Sequence, residues 1–239
     1  MDAKEEQLLG AEVARHWYYV SKGRALRSFL GDVRGTTLLD VGAGSGVFAR
    51  QLLEAGVCDQ ATCIDPAYAD EHEEVYHGQP LRFLRFADKL PVDLLLMMDV
   101  LEHVDDDLEL LETYTERLAP GGHVLISVPA FQFLWSGHDV FLEHRRRYVR
   151  KEIEALLQRA GLSVLRCRYF FGGIFPAVAT LRILGRVPAK LLGREARSDL
   201  RPASDLANWL LVRAHDLERE TLFRVNRWAG LTLFCLAKR

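Results

Sequence analysis

Short apolar runs alternate with amphipathic segments along most of the chain, and this alternation predicts an α/β fold. The run 92–98 is almost continuously hydrophobic, which is typical of a central parallel strand covered on both faces. Helices with one apolar side are predicted over 45–55, 105–118 and 151–160. Further strands are predicted over 37–41, 61–65, 82–86, 123–128, 162–171 and 231–236.

The turn between the first predicted strand and the first predicted helix is rich in glycine. Gly42, Gly44 and Gly46 allow unusual backbone dihedrals and let a ligand approach without Cβ atoms in the way. The helix that begins near Ser45 presents its first amide groups to this turn. Asp40, near the carboxyl end of an apolar strand, is hard to explain by packing. Together these residues predict a nucleotide-like cofactor site.

Carboxylates also follow the next predicted strands. Asp65 ends the second strand nineteen residues past Gly46, Asp88 follows the third, and Asp99 follows the run 92–98. Each has a plain structural explanation, since aspartate is common in turns and at loop starts. An aspartate at successive strand ends is nevertheless what a ligand at the carboxyl edge of a parallel sheet requires.

The glycine spacing is GxGxG, with Val47 where a dinucleotide-binding fingerprint has its last glycine, and DVLEHV follows 92–98. This combination resembles the class I S-adenosylmethionine-dependent methyltransferases; a nicotinamide-dependent oxidoreductase is the weaker alternative. The resemblance implies a Rossmann-like, mostly parallel seven-stranded sheet whose antiparallel last strand lies beside the fifth. It implies S-adenosyl-L-methionine as cofactor and S-adenosyl-L-homocysteine as product. It assigns cofactor binding to Asp40, Gly42, Gly44, Gly46, Asp65 (ribose), Asp88 (adenine) and Asp99.

Three parts are expected: a helical cap over 1–35, a methyltransferase core over 36–171 and 230–239, and a helical, partly basic insertion over 172–229. The cap resembles the aromatic helix that precedes the glycine-rich turn in related bacterial enzymes, and we expect a lid in which Tyr18 contacts the acceptor. The alternative is that Trp17, Tyr18 and Tyr19 only pack this helix onto the sheet.

The insertion combines arginines at 182–201 with a predicted amphipathic helix over 205–228. It suits peripheral contact with an anionic membrane or cover for an acceptor with an apolar tail, and equally a homodimer interface or a solvated flap. The uncharged stretch 169–181 is too short to span a bilayer.

Candidate acceptor-site residues cluster at 129–150, after the fifth predicted strand. His138 and His144 are candidate general bases because imidazole titrates near neutral pH, and Asp139 is a candidate orienting partner. Arg146 and Tyr148 are the preferred acceptor contacts. The alternative is that these histidines are structural and the arginines form a solvated face.

Asp99, Glu102 and His103 form DxxEH, similar to the ExxEH of ubiquinone-biosynthesis O-methyltransferases, and this similarity implies acidic side chains that hold a divalent ion. Aspartate at the first position shortens one ligand, and this spacing also suits helix capping. We therefore predict no metal ligands and retain His103 as a third candidate base.

Charge, cysteine content and the first residues indicate the class of partner and the cellular compartment. The formal net charge of −2 argues against a nucleic acid partner. Cys58, Cys63, Cys167 and Cys235 are scattered and are interpreted as buried thiols of a reducing compartment. The first residues carry no secretory signal, so cytoplasmic localisation is expected.

The predicted function is methyl transfer to an O, N or C nucleophile of a small-molecule acceptor, aromatic, sugar-like or lipid-attached. The alternative is a non-catalytic cofactor-binding protein that acts as a partner or membrane-surface module.

Overall fold

One eight-stranded sheet runs through the computed structural model, which describes residues 9–86, 91–184, 198, 200 and 202–239. The strand order is β3-β4-β2-β1-β5-β6-β8-β7. The strands are β1 (Thr37–Val41), β2 (Gln60–Ile64), β3 (His72–Tyr76), β4 (Gln79–Leu84), β5 (Val92–Met98), β6 (Leu118–Pro129), β7 (Ser163–Phe170) and β8 (Thr232–Lys238).

Helices cover both faces of this sheet and extend from one end of it. Within the described ranges they are α1 (Trp17–Leu30), α2 (Val47–Glu54), α3 (Asp107–Thr115), α4 (Gly137–Phe141), α5 (Arg150–Arg159), α6 (Phe175–Leu184) and α7 (Asp205–Glu220). None of these helices has the length and apolar character needed to cross a bilayer.

The central strands β2, β1, β5 and β6 pair in parallel, as does β4 with β2. Strand β8 lies between β6 and β7 and is antiparallel to both. The Rossmann-like α/β fold and the antiparallel last strand beside the predicted fifth are thus confirmed. Because β8 is paired with a strand on each side, its side chains are buried, among them Phe234 and Leu236.

The predicted count of seven strands is wrong by one, because β3 forms a hairpin with β4 at the sheet edge. The two residues between these strands, His77 and Gly78, have φ values of 50° and 83°. Positive φ at both central positions is the geometry that a two-residue hairpin turn requires. Strand β3 is an edge strand with mostly exposed polar side chains, so its hydrophobic pattern is weak.

Alternation along the central strands divides the core into two layers. Leu38 and Leu94 face the layer beneath α1 and α2, whereas Leu39 and Leu95 face the layer that includes residues of α3 and α5. Burial on both faces explains why these strands are continuous apolar runs in the sequence.

The interpretation of all four cysteines as thiols is wrong for one pair. Cys167 of β7 and Cys235 of β8 are directly opposite in the register and form a disulfide. They are 68 residues apart, so spacing alone gives no sign of the pairing. Cys58 and Cys63 are buried free thiols, and burial raises the pKa of Cys58 to about 12.

Helix α7 is shorter than the predicted 205–228, because a separate turn begins after Glu220. Its amino end is capped by the Ser204 hydroxyl, which accepts a hydrogen bond from the Ala207 amide at 3.4 Å. Most of the basic stretch at 182–201 lies outside the described residues.

Candidate functional site

The glycine-rich turn between β1 and α2 adopts backbone conformations that side chains disfavour. Gly42, Gly44 and Gly46 have φ values of 65°, 54° and 71°. The Gly42 amide donates to the Ile64 carbonyl at 2.7 Å, which fastens the turn to the end of β2. A Cβ on Gly46 would lie 2.8 Å from a ring carbon of Phe83, so the turn has no room for a side chain there.

Asp65 braces this turn from the end of β2. Its Oδ2 accepts from the Gly44 amide at 3.1 Å and its Oδ1 accepts from the Ala67 amide at 3.0 Å. The Tyr68 hydroxyl donates to the Gly44 carbonyl at 2.6 Å. The predicted ribose ligand therefore lies directly against the glycine turn. Asp88, the predicted adenine ligand, lies outside the described residues.

Asp40 and Asp99 lie at the ends of neighbouring parallel strands. Asp40 of β1 is buried, and Asp99 follows β5 with a left-handed φ of 55°. The Oδ1 of Asp99 accepts from the Ser127 hydroxyl at 3.1 Å, and its Oδ2 accepts from the Lys22 ammonium. The structure therefore brings Asp40, Asp65 and Asp99 to one edge of the sheet, next to the glycine turn.

Lys22 is a site residue that sequence analysis missed. It lies on α1 with no exposed surface, and its Nζ donates to the Asp99 carboxylate and to the Tyr18 hydroxyl, the latter at 3.1 Å. The sequence did contain a signal, because Lys22 stands between Tyr19 and Ala25 on the apolar side of the helix. A lysine in such a position needs a partner when it is buried.

These groups fit an adenosyl donor with an amino acid tail. Such a ligand needs a close backbone approach, carboxylates for its hydroxyl groups, and polar side chains for its charged end. The side-chain-free glycine turn supplies the first, and Asp65 supplies the second. Lys22 and Asp99 supply both signs of charge in a buried position.

A cavity of about 240 Å³ adjoins Asp99. One wall is mainly apolar and comes from α1, α6 and the segments around β7 and β8. The other wall is polar and comes from the segments after β5 and β6, with Arg182 added from α6. The apolar wall consists of Trp17, Tyr18, Phe171, Ile174, Val178, Leu200 and Leu231, and the polar wall includes Asp99, Glu102, His138, His144, Arg147 and Arg182.

The polar wall is organised by Asp139, which is fully buried. Its oxygens accept from the Ser136 amide at 2.8 Å and from Nε of Arg147 at 2.6 Å, and Nδ1 of His144 lies 3.0 Å away. Arg182 of α6 lies 4.0 Å from the same carboxylate. Burial alone would raise the pKa of Asp139, but the hydrogen bonds from His144, Arg147 and Ser136 hold that pKa well below its usual range.

The other two candidate bases, His138 and His103, lie close to His144. His138 lines the cavity, with its ring centroid 6.4 Å from that of His144. His103 stands edge-on to His144 at 4.8 Å. Potential metal-ligating atoms of Glu102, His103 and His144 lie within 4.8 Å of one another. This group differs from the DxxEH set of the sequence, since Asp99 instead accepts hydrogen bonds from Lys22 and Ser127.

Arg146 and Tyr148, the preferred acceptor contacts, lie away from the cavity. Both bond to Asp107 at the start of α3, at 3.2 Å from Nη1 of Arg146 and 2.8 Å from the Tyr148 hydroxyl. Burial and the Asp107 carboxylate raise the pKa of that hydroxyl far above its usual range. Arg147, between them, is the member of this run that faces the cavity. Tyr18 lines the cavity, whereas Tyr19 packs in the core, and the contact of Tyr18 with the acceptor stays a prediction.

Comparison with known proteins identifies related chains. A family model described as a methyltransferase domain matches residues 14–166. An uncharacterized methyltransferase of Mycobacterium tuberculosis is 34% identical over 131 residues, which cover 49% of this chain and 51% of that protein. The chain thus spans about half the length of the curated relatives it matches.

Two solved structures share the fold. An S-adenosylmethionine-dependent methyltransferase from Archaeoglobus fulgidus is similar with a TM-score of 0.54 at 17% identity, over 99% of this chain and 98% of that one. Phosphoethanolamine N-methyltransferase 2 of Haemonchus contortus, solved with S-adenosyl-L-methionine, has a TM-score of 0.55 at 15% identity. That match covers 98% of this chain and 55% of the other.

Proposed function

The chain belongs to the class I S-adenosylmethionine-dependent methyltransferases, and from this premise we propose that it methylates an oxygen or nitrogen nucleophile on a small amphiphilic acceptor. One observation carries the proposal. The cavity that holds His144 is also lined by Asp99, which belongs to the sheet edge assigned to the donor. An acceptor in this cavity would therefore lie next to the donor.

Donor binding is assigned to the glycine turn and the carboxylates around it. Asp65 would bind the ribose, and Gly42, Gly44 and Gly46 would allow close backbone approach. Asp40 and Asp99 complete the set in the described residues, and Lys22 is added to it because it reaches the same edge. When bound, the cofactor supplies an electrophilic methyl group on a sulfonium sulfur. The adenine contact assigned to Asp88 stays a prediction.

His144 is the proposed general base. The depressed pKa of Asp139 keeps it ionised at neutral pH, and an ionised carboxylate can only accept hydrogen bonds, so Nδ1 of His144 carries the proton in that hydrogen bond. The neutral ring then has Nε2 as its proton acceptor. His144 would take the proton that the acceptor heteroatom loses, and Asp139 would stabilise the imidazolium that results. His138 and His103 remain candidates with less support.

The shape of the cavity supports an amphiphilic acceptor. A nucleophile near His144 would place the rest of the molecule against the wall that includes Phe171, Ile174 and Val178. Such a wall binds apolar groups and excludes water that would compete for the methyl group. We therefore favour aromatic or lipid-attached acceptors over sugar-like ones.

The test is release of S-adenosylhomocysteine across a panel of paired acceptors, each with the same phenol, alcohol or amine with and without an alkyl chain. We expect turnover on alkylated members, and Val178→Asp should raise KM for them more than for their short partners. Turnover restricted to short polar acceptors contradicts the amphiphilic assignment. Donor binding without turnover on any member favours the non-catalytic alternative, which family membership does not favour.

Three expectations stay predictions: a homodimer, a membrane contact through 172–229, and cytoplasmic localisation. Methyl transfer by the residues named above requires none of them.

A further inference from the structure

Helix α7 presents its apolar side chains to solvent and its polar side chains to the protein. Leu206, Trp209, Leu210 and Leu217 share one side of the helix by their spacing and are 68%, 54%, 52% and 65% exposed. We call this set the outer face of α7. A helix that packs on a globular core normally has the reverse arrangement. Packing within the described part of the chain therefore does not account for this face.

The orientation of α7 is fixed by polar contacts with α1. The Asn208 side chain accepts from the Trp17 amide at 2.6 Å and donates to the Arg15 carbonyl at 3.0 Å. The buried His215 ring stacks on the Trp17 ring with centroids 5.4 Å apart, and Asp216 forms an ion pair with Arg24. Turning the outer face inward would break all of these contacts.

More apolar side chains are exposed on both sides of α7 in the sequence. Trp228 is 72% exposed after the helix, and Leu181 and Leu184 are 71% and 70% exposed on α6. Isolated exposed leucines are ordinary on protein surfaces, but the three leucines and one tryptophan on one side of α7 mark an interaction surface.

The charge of this part of the chain is opposite to that of the whole. Residues 172–229 contain ten lysines and arginines against six acidic residues, although the chain has a net charge of −2. Three of the acidic side chains are engaged within the protein: Asp216 with Arg24, Glu218 with the Gly172 amide at 2.6 Å, and Glu220 with Arg219. Among the basic residues of this region that the structure describes, Arg213, Arg224 and Arg227 are exposed.

Arg213 lies within the outer face itself, with its guanidinium 5.8 Å from the centre of the Trp209 ring. Tryptophan, leucine and arginine on one side of a helix are the composition of a helix that lies in a membrane interface. Tryptophan and leucine enter the acyl boundary there, while the long arginine side chain reaches the phosphates.

We propose that the outer face of α7 docks on an anionic membrane surface. A second copy of the chain suits this face less well, because a two-fold contact between identical faces would bring Arg213 of one copy towards Arg213 of the other. An anionic surface instead gives Arg213, which lies among these apolar side chains, an opposite charge.

Helix α7 lies next to elements that build the acceptor cavity, although it contacts them with the side opposite the outer face. Trp17 lines the cavity and stacks on His215 of α7, while Val178 and Arg182 of α6 line the same cavity. If the proposed function holds, a lipid-attached acceptor would reach the cavity from the surface on which α7 rests. The membrane contact itself does not depend on methyl transfer.

Vesicle flotation of the full chain tests the proposal. Vesicles of phosphatidylcholine alone are compared with vesicles that also contain phosphatidylglycerol, at low and high salt. The key variant is Trp209→Glu with Leu210→Glu, and the control is Val75→Glu, which changes a side chain 75% exposed on the opposite edge of the sheet. Arg213→Glu tests the electrostatic part separately.

We expect wild type and Val75→Glu to float with the anionic vesicles and not with the neutral ones. The Trp209/Leu210 variant should bind at least about tenfold more weakly, and Arg213→Glu should reduce the salt dependence. Wild type that remains in the aqueous fraction overturns the proposal, as does equal flotation of the Trp209/Leu210 variant. A dimer in light scattering that this variant converts to a monomer assigns the face to a second copy instead.

Titration with S-adenosylhomocysteine separates this test from that of the proposed function. The side chains exchanged are exposed, so each variant should keep the wild-type affinity and melting temperature. If the protein binds S-adenosylhomocysteine but does not float with anionic vesicles, the membrane contact alone is overturned. If it floats but does not bind S-adenosylhomocysteine, the proposed function alone is overturned.

Discussion

Nδ1 of His144 lies 3.0 Å from Oδ1 of Asp139, and the two side chains are 4% and 0% exposed. The carboxylate is fixed in turn by Arg147 and by the Ser136 amide, so it holds the imidazole in one orientation and favours a proton on Nδ1. A histidine held in this way at the wall of a cavity has the arrangement expected of a general base.

Replacement of His144 should therefore separate turnover from donor binding. We expect His144→Ala to lower kcat by about 10²–10⁴-fold, because the side chain that takes the proton from the acceptor heteroatom is removed. The dissociation constant for S-adenosylhomocysteine should stay unchanged. Initial rates with a panel acceptor and calorimetric titration measure the two quantities. His138→Ala is the matched control on the same wall and should have a smaller effect. Loss of donor binding in the His144 variant would remove it from the catalytic role.

Substitutions in the glycine turn should abolish donor binding because they change the binding site, and not only because they strain the backbone. Gly44→Val places a branched side chain where the donor approaches, and Asp65→Ala removes the brace of the turn and the proposed ribose ligand. Both variants should lose binding to S-adenosylhomocysteine in calorimetry.

Gly56→Val is the control for that experiment. Gly56 also has a positive φ of 63°, but it ends α2 away from the turn and has open space around it. It should lose stability to a similar degree and keep the donor affinity. Equal loss of affinity in the Gly44 and Gly56 variants would mean that strain, and not the site, is responsible.

The parallel core was predictable because each central strand is buried on both faces and therefore has no polar alternation. The run 92–98 coincides with β5, and the glycine turn has the positive φ values that its spacing requires. Strand β3 was not predictable from hydrophobicity, since an exposed edge strand has little apolar pattern to detect.

The candidate site was predictable as a group of segments but not as individual contacts. Three consecutive arginines precede Tyr148, and the sequence cannot show which of them points inward; the loop geometry turns Arg147 towards Asp139 and Arg146 towards Asp107. Periodicity likewise gave the apolar side of α7 but not its direction. That direction is set by contacts of Asn208 with residues about 190 positions earlier in the chain.

Asp139 should stabilise the fold as well as position His144. Asp139→Asn leaves the buried Arg147 guanidinium without its counter-charge, which should cost about 3–5 kcal/mol in the free energy of unfolding. For a chain of this size that corresponds to a melting temperature lower by about 10 °C. Thermal and urea unfolding at neutral pH measure the difference.

The same variant predicts a pH dependence. The folded-state pKa of Asp139 is depressed, so its stabilisation is complete above the unfolded pKa of about 3.9 and is lost as pH falls towards the folded pKa. The difference in free energy of unfolding between wild type and Asp139→Asn should therefore narrow as pH falls below about 4. A difference that stays constant down to pH 3 would contradict the assignment.

Lys22 and Asp99 form another buried ion pair, and it ties α1 to the end of β5. Lys22→Met should destabilise the protein by about 3–5 kcal/mol, because the Asp99 carboxylate is left buried without a cation. Adding Asp99→Asn should restore part of this loss, so the two effects should be non-additive by more than about 1.5 kcal/mol in a double-mutant cycle.

Arg24→Met is the control on the same helix. Its pair with Asp216 is more exposed, and its loss should cost only about 1 kcal/mol or less. Additive effects of the Lys22 and Asp99 changes in urea unfolding would show that the two side chains do not stabilise the fold as a pair.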